Sequence, residues 1–278
     1  MSKITEAIGR TRTTRDLIRV WPVEALALTL EDRIEPSREG DSLPPLRHWL
    51  HFLPLDPLSQ AGPDGHARTG EFLPDTGLPR RMWAGGRLTF HRPLKIGEQA
   101  TRVSRIENVE EKEGRSGRLV FVSVLHEISG ADGLAISEEQ DIVYREAPKI
   151  AGAAIRMQEA PSDPAWRRTV SPDPVMLFRY SALTFNSHRI HYDHPYVTGV
   201  EGYPGLVVHG PLLATLMADL ACRENPGRTL RHFSFRGMAP VFAGEAFEVA
   251  GKPDGKDGAE LWIAKPEGLA MQGRAEFT

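Results

Sequence analysis

The sequence predicts an α+β protein built from two copies of one unit, each a curved antiparallel sheet wrapped around a central helix. Three observations carry this. Each half of the 278-residue chain runs helical segments first and strands after. Two short matches recur at nearly the same offset. Pro93-x-x-x-Gly97-Glu98 returns as Pro240-x-x-x-Gly244-Glu245, 147 positions on (240 − 93), and Pro22 of PVEALALTL returns as Pro174 of PVMLFRYSALTF, 152 on (174 − 22). The stretch VVHGPLLATLMADLACR reads as an apolar helix, and such a helix must bury its face on a sheet. An offset of about half the chain marks a duplicated unit of small-domain size. The division falls at 1–150 and 151–278.

Taken in order, Trp21 to Asp32 reads as a helix with Pro22 in its first turn. From Glu35 to Pro79 the chain is rich in Pro, Gly and Asp, which predicts a long loop serving as a lid or cover. Within it, LRHWLHFLP reads as a helical turn or a strand. GGRLTFHRPLKIGEQATRVSRIENVEEK, GRLVFVSVLHEIS and LAISEEQDIVYRE alternate apolar and polar residues between the turn-rich EKEGRSG and SGADG. They predict a three-stranded meander ending near Tyr144. APKIAGAAIRMQEAPSDPAW has the small residues and prolines of a linker. The second half then repeats the order: DPVMLFRYSALTF as a helix, the long apolar helix, and LRHFSFRGMAPVFAGEAFEVAG, AELWIAKP and LAMQGRAEFT as strands. Two such sheets side by side form one continuous sheet, which hides a pair of edges.

Composition narrows the function. The chain is 40% hydrophobic and 26% charged, an ordinary globular balance, and its net charge of −3 does not favour a nucleic-acid partner. The single cysteine, Cys222, forms no intramolecular disulfide. No run approaches the ~20 apolar residues of a membrane span, and MSKITEAIGR does not read as a secretory signal. The expectation is a soluble cytoplasmic protein with no membrane partner. There is no Gly-x-Ser-x-Gly elbow, phosphate loop or dinucleotide fingerprint.

FNSHRIHYDHPY places His188, His191 and His194 at steps of three. On a helix these would spread over about 120°, and on a strand His191 would face away from the other two. Asp193-His194-Pro195 reads as an N-cap and the start of a helix, so the three sit on different backbone. No metal site is expected, and His188 and His194 read as surface or locally bonded side chains. Gly210 stands where a loop enters the apolar helix, with Pro211 suited to the first turn. A helix start offers unpaired N–H groups and partial positive charge, and glycine lets a ligand come close. Two readings stand level: a plain capping glycine with His209 packing beside it, or a carbonyl-binding site with a nearby histidine to move protons.

TFNSHRIHYDHPY followed by GLVVHGPLLATLMADL resembles the MaoC-like hydratases and dehydratases of the hotdog fold. Their motif runs Asp-x-Asn-Pro-Ile/Leu-His-x-Asp, then Val-His-Gly at the start of the central helix. The interval from His191 to Gly210 is 19 (210 − 191), which fits. The wording ALTFNSHRIHYD, with MWAGGR in the first half, is similar to the double-hotdog branch. That branch holds type 2 hydroxyacyl-thioester dehydratases and the 3-methylfumaryl-CoA (mesaconyl-CoA) and itaconyl-CoA hydratases. The resemblance implies that His191 is the catalytic histidine and Gly210 the oxyanion-hole glycine. It puts Asn186 at the catalytic aspartate position, where an amide cannot take a proton. It also implies a degenerate, pocket-shaping first half and a catalytic second half.

The implied activity is that of a hydro-lyase: reversible hydration of an α,β-unsaturated acyl-CoA, with 3-methylfumaryl-CoA or itaconyl-CoA as the type of substrate. No cofactor is expected beyond the CoA of the substrate. Alternatives are a 3-hydroxyacyl-thioester dehydratase of fatty-acid synthesis and a non-catalytic thioester-binding protein. A dicarboxylic acyl group needs a cation at its far end. Arg87 and Arg189 are the candidates carried forward, with Arg81 and Arg236 also available. Trp83 and His209 complete the expected substrate-binding set, and a homodimer through outer sheet edges is the expected assembly.

Overall fold

The computed structural model describes residues 4–32, 37–114, 117–146 and 157–278. The first half comprises strand β1 (Thr11–Leu17), helix α1 (Val20–Thr29) and strands β2 (Arg80–Phe90), β3 (Gln99–Gly114), β4 (Gly117–Gly130) and β5 (Gly133–Arg145). The second comprises β6 (Trp166–Val170), helices α2 (Pro174–Leu183), α3 (His194–Gly199) and α4 (Gly210–Glu224), and strands β7 (Leu230–Gly237), β8 (Phe247–Asp254), β9 (Gly258–Lys265) and β10 (Gly268–Phe277).

All ten strands form one antiparallel sheet, in the order β1-β3-β4-β5-β2-β7-β10-β9-β8-β6. Read outward from the centre, the two halves have the same order, so β2 matches β7, β3 matches β8, and β1 matches β6. Both sequence echoes fall on equivalent places. Pro93 to Glu98 and Pro240 to Glu245 are the turns after β2 and β7, while Pro22 and Pro174 start α1 and α2. The expected boundary at 150/151 lies outside the described residues.

The halves join where β2 pairs with β7, Gly86 facing Phe235 and Leu88 facing Phe233. A Cβ on Gly85 would lie 2.6 Å from the Phe235 carbonyl oxygen, so only glycine permits this approach. That is the structural use of the Gly-Gly in MWAGGR.

The concave face of the second half wraps α4. Leu212, Leu213, Leu216, Met217 and Leu220 of the helix are buried against Phe233, Phe247, Val249, Leu261 and Ile263. Burial on nearly all sides explains why Leu212 to Ala218 carries no charge.

The first half departs from the expected pattern. Among the described residues it has no counterpart of α4. Its concave face is covered by the long loop, which includes the 3-10 turns Arg47–Leu50 and Leu58–Gln60. The sheet beneath is correspondingly polar. Glu138 Oε1 accepts from Trp49 Nε1–H and Gln140 Nε2–H at 2.9 and 2.8 Å, and its Oε2 accepts from His48 Nε2–H at 2.9 Å. Against complete burial, which raises it, the bond and charge of His48, the nearby His126 and the Gln140 bond hold the Glu138 carboxyl down to about 2. The Arg47–Leu50 turn is also tied to α4, because Arg47 donates to both oxygens of Asp219 at 2.8 and 2.9 Å. No helix among the described residues is long and apolar enough to cross a membrane.

Candidate active site

The histidine motif begins where α2 ends. Asp173 caps α2, accepting from the Met176 N–H at 2.7 Å, and the chain leaves the helix through Phe185 at φ 50°. Asn186 Oδ1 then accepts the His188 N–H at 3.0 Å. A 3-10 turn, Arg189–His191, follows, and Asp193 caps α3 by accepting from the Tyr196 N–H at 3.1 Å. The capping role read for Asp193 holds, and His194 is exposed.

His191 is buried. Its Nδ1–H donates to the Val207 carbonyl at 2.7 Å, which fixes the tautomer and leaves Nε2 without a hydrogen-bond partner among the described residues. Burial, and secondarily the neighbouring His66, hold it down to about 4 against a helpful bond from Val207. It is therefore neutral near pH 7, with Nε2 as its proton acceptor.

Its ring stacks on His209 at 3.6 Å between centroids and 18° between planes. His209 is fully buried, and its Nε2 lies 2.8 Å from the Ser181 hydroxyl on α2. A side chain so enclosed supports His191 from behind; it does not line the pocket as the sequence suggested. The segment between is pinned on both sides, with the Val207 N–H on the Ile190 carbonyl at 3.0 Å and the Val208 N–H on the Val241 carbonyl at 2.8 Å.

Gly210 follows His209 as the first residue of α4. An N–H at that position has no acceptor inside its helix and sits at the positive end of the dipole. A Cβ there would meet nothing nearer than the Trp83 carbonyl oxygen, at 3.9 Å, so the approach is open. Trp83 lies at this doorway, its Nε1–H on the Gly85 carbonyl at 2.8 Å and its ring edge-on to Trp49 and Phe235. His191, through His209, and Trp83, through its carbonyl, thus both adjoin Gly210.

The two expected arginines do not join them. Arg87 lies on the outer face of the sheet, its guanidinium taken by Glu139 and Asp141. A bulge between Trp83 and Gly85 in the β2–β5 pairing shifts the alternation of side chains, which turns Arg87 away from the Trp83 face. Arg189 is a brace. Its Nε and Nη2 donate to Asp193 Oδ2 at 2.9 and 2.8 Å, its Nη1 donates to the Pro63 carbonyl at 3.0 Å, and its guanidinium lies 4.1 Å over the Tyr196 ring. Arg236 is exposed. Asn186 uses its amide oxygen on its own turn, and no carboxylate replaces it within the motif.

The long loop supplies residues that the sequence reading missed. Residues 62–66 press onto the motif. The Arg189 N–H donates to the Asp64 carbonyl at 2.9 Å, and the Ser187 hydroxyl donates to the Gly65 carbonyl at 2.5 Å. Gly65 has φ +90°, and a Cβ there would fall 1.9 Å from the Ser187 carbonyl oxygen. The contact delivers His66, which packs against His188 with ring centroids 4.0 Å apart and planes tilted by 37°, and His188 meets His191 edge-on at 5.4 Å. His188 is accordingly buried, not at the surface, and burial pushes it far below the ordinary histidine range.

His66 Nδ1–H donates to Asp64 Oδ2 at 2.8 Å, and its backbone N–H reaches Oδ1 at 3.1 Å. The donor atoms of Asp64, His66 and His188 lie within 4.8 Å of one another, close enough to share a cation. With both Asp64 oxygens already occupied by His66, however, the arrangement is that of a hydrogen-bonded carboxylate–imidazole pair.

A single sheet of two matched halves around one helix, with a histidine stacked on the residue before that helix's first N–H, has the architecture of a double hotdog. The same fold appears in a MaoC-like dehydratase from Phytophthora capsici (TM-score 0.71, 16% identity, 99% of this chain and 98% of that one). It appears also in HtdX of Mycobacterium tuberculosis (TM-score 0.67, 21% identity, 97% and 100% coverage). The family of hydroxyacyl-thioester dehydratases type 2 matches residues 46–243, and the chain belongs to it. It is 48% identical to the mesaconyl-C(4)-CoA hydratase of Chloroflexus aurantiacus over 94% of this chain and 92% of that protein. It is 29% identical to the mitochondrial hydroxyacyl-thioester dehydratase type 2 of Schizosaccharomyces pombe over 94% and 97%.

Proposed function

We propose that the protein adds water reversibly across the double bond of an α,β-unsaturated acyl-CoA, with short dicarboxylic acyl groups as its substrates. One observation carries the reaction: His191, neutral and with Nε2 free, is stacked on the residue that precedes the open N–H of Gly210. The thioester carbonyl accepts from that N–H, where the helix dipole favours the negative charge that develops on oxygen. His191 Nε2 takes a proton from water as the water oxygen bonds to the β-carbon. Val207 and His209 keep the imidazole in place while it does so.

The dicarboxylic class is supported by the 48% identity to mesaconyl-C(4)-CoA hydratase and by Arg81. Arg81 pairs in register with Tyr144 and acts electrostatically on Asp64, His66 and His188. No carboxylate forms a salt bridge with it among the described residues, so its guanidinium is free for the far carboxylate of a substrate. The reading has the first half shape the acyl pocket and the second half bind the thioester, with no cofactor beyond CoA. It places the enzyme in the cytoplasm, with edge strands β1 and β6 as the surfaces through which two copies pair.

The test follows loss of enoyl-thioester absorbance. Wild-type protein turns over mesaconyl-C(4)-CoA, and His191→Ala loses at least about a hundredfold in kcat with its unfolding transition intact. Activity of His191→Ala near wild type would remove His191 from the mechanism.

A further inference from the structure

We propose that His66, carried in from the first half of the chain and held by Asp64, is the second proton-transfer residue of this site, in place of the carboxylate that position 186 lacks. The proposal rests on the reading above, in which His191 activates water. Hydration also needs a donor for the α-carbon, and Asn186 is no donor of that kind: it is an amide whose oxygen is used on the His188 N–H.

Three observations converge on His66. Its Nδ1 is fixed on Asp64 at 2.8 Å, which directs Nε2 as its working atom and gives a protonated ring a carboxylate partner. Its ring is packed 4.0 Å from His188, which in turn meets His191 at 5.4 Å, so the three imidazoles form a contiguous row. The loop that carries it is locked to the motif through Gly65–Ser187, Asp64–Arg189 and Pro63–Arg189. Among the described residues His188 has no side-chain hydrogen bond, although it is about nine-tenths buried.

The step balances as follows. Water bonds through oxygen to the β-carbon and gives one proton to His191 Nε2. The π electrons of the double bond move to the thioester oxygen at Gly210. The resulting enolate collapses as the α-carbon takes the proton from His66 Nε2. His191 now holds the extra proton and His66 has lost one. The proton on His191 Nε2 is then lost to solvent and His66 Nε2 takes one from solvent, which resets both rings. Asp64 is a positioning residue and never leaves its hydrogen bond. The first half is then part of the catalytic centre and not only its wall.

The charged and titratable groups facing His66 are Asp64 on its own loop, Arg81 on β2, Tyr144 on β5 beside Arg81, and His188 and His191 on the motif. Burial and then Arg81 lower the His66 pKa, and Asp64 opposes both. Hydration needs His66 protonated, so its rate falls as pH rises through the His66 pKa. Removing Asp64 removes a raising influence and moves that limb to lower pH. A purely structural Asp64 leaves the limb where it is.

The experiment measures kcat and KM for hydration of mesaconyl-C(4)-CoA against pH in wild type, His66→Gln, Asp64→Asn and His191→Ala. The expected result is a loss of about a hundredfold in kcat for His66→Gln with KM little changed, and an alkaline limb displaced to lower pH in Asp64→Asn. Wild-type kcat in His66→Gln, or an unmoved limb in Asp64→Asn, overturns the proposal. If either result accompanies an inactive His191→Ala, the reading of the site survives and only the role of His66 fails. If His191→Ala is active while His66→Gln is not, the assignment of His191 fails instead.

Discussion

Replacing Gly210 by alanine separates the chemistry of α4 from its packing. The added methyl meets nothing closer than the Trp83 carbonyl oxygen at 3.9 Å, an ordinary contact, and Gly210 has no positive φ to lose. Alanine is the better helix former, by up to ~1 kcal/mol in a helix interior and less at the first position. Stability should therefore stay within about 0.5 kcal/mol of wild type or rise slightly. Activity should not survive so well, because the methyl occupies the space through which a thioester oxygen reaches the N–H. Loss of one oxyanion donor costs about 3 kcal/mol of transition-state stabilisation, or roughly a hundredfold in rate. Denaturant unfolding and the enoyl-thioester assay on the same preparation measure both. Wild-type kcat in a well-folded Gly210→Ala would refute the placement of the carbonyl. A loss of more than about 2 kcal/mol in stability would refute the claim that the space is open.

Other outcomes follow from the same structure. Gly65→Ala drives a Cβ into the Ser187 carbonyl at positive φ, so the lid loop should lift and kcat fall; equal activity in a coupled assay would show that the loop contact is dispensable. Asp219→Ala strands the buried Arg47 guanidinium and should cost about 3–5 kcal/mol in urea unfolding, whereas a loss under 1 kcal/mol would show that water reaches the pair. The histidines set a pH limit on stability. His126 and His191 are both held near 4 against an unfolded value of 6.5, so the unfolded chain binds more protons between these values. Stability is full above about 6.5 and declines as pH falls toward 4, by about 3 kcal/mol for each group. A flat unfolding free energy from pH 7 to 5 would contradict their burial as neutral rings.

The repeat, the meander, the apolar helix and the pair His191–Gly210 were legible because each leaves a local mark: alternation, an offset, or a motif with fixed spacing. The edge strands β1 and β6 left none. TRTTRDL is largely exposed, WRRTV is only five residues long, and neither carries a clear apolar alternation. The missing central helix of the first half shows that repeat logic was carried one element too far. There the sheet is polar under a loop, with Glu138 bonded to His48 and Trp49 where the second half buries aliphatic side chains. Arg87 was misplaced by a bulge, which changes which face a residue takes without any signature in MWAGGR. His66 was invisible for another reason. PDGHA is ordinary loop sequence, and its meaning arises only when the fold lays it on Ser187 and His188, 122 residues away in the chain. The same event buries His188, which read as a surface residue when its lid was unknown.

The most direct test of the central claim is mass analysis of the product formed from mesaconyl-C(4)-CoA in water enriched in oxygen-18. A fold alone does not decide between adding water to the double bond and cleaving the thioester. The account predicts an intact hydroxyacyl-CoA that carries the heavy oxygen on its β-carbon, and none from His191→Ala. Free CoA with the label in the released acid would contradict it.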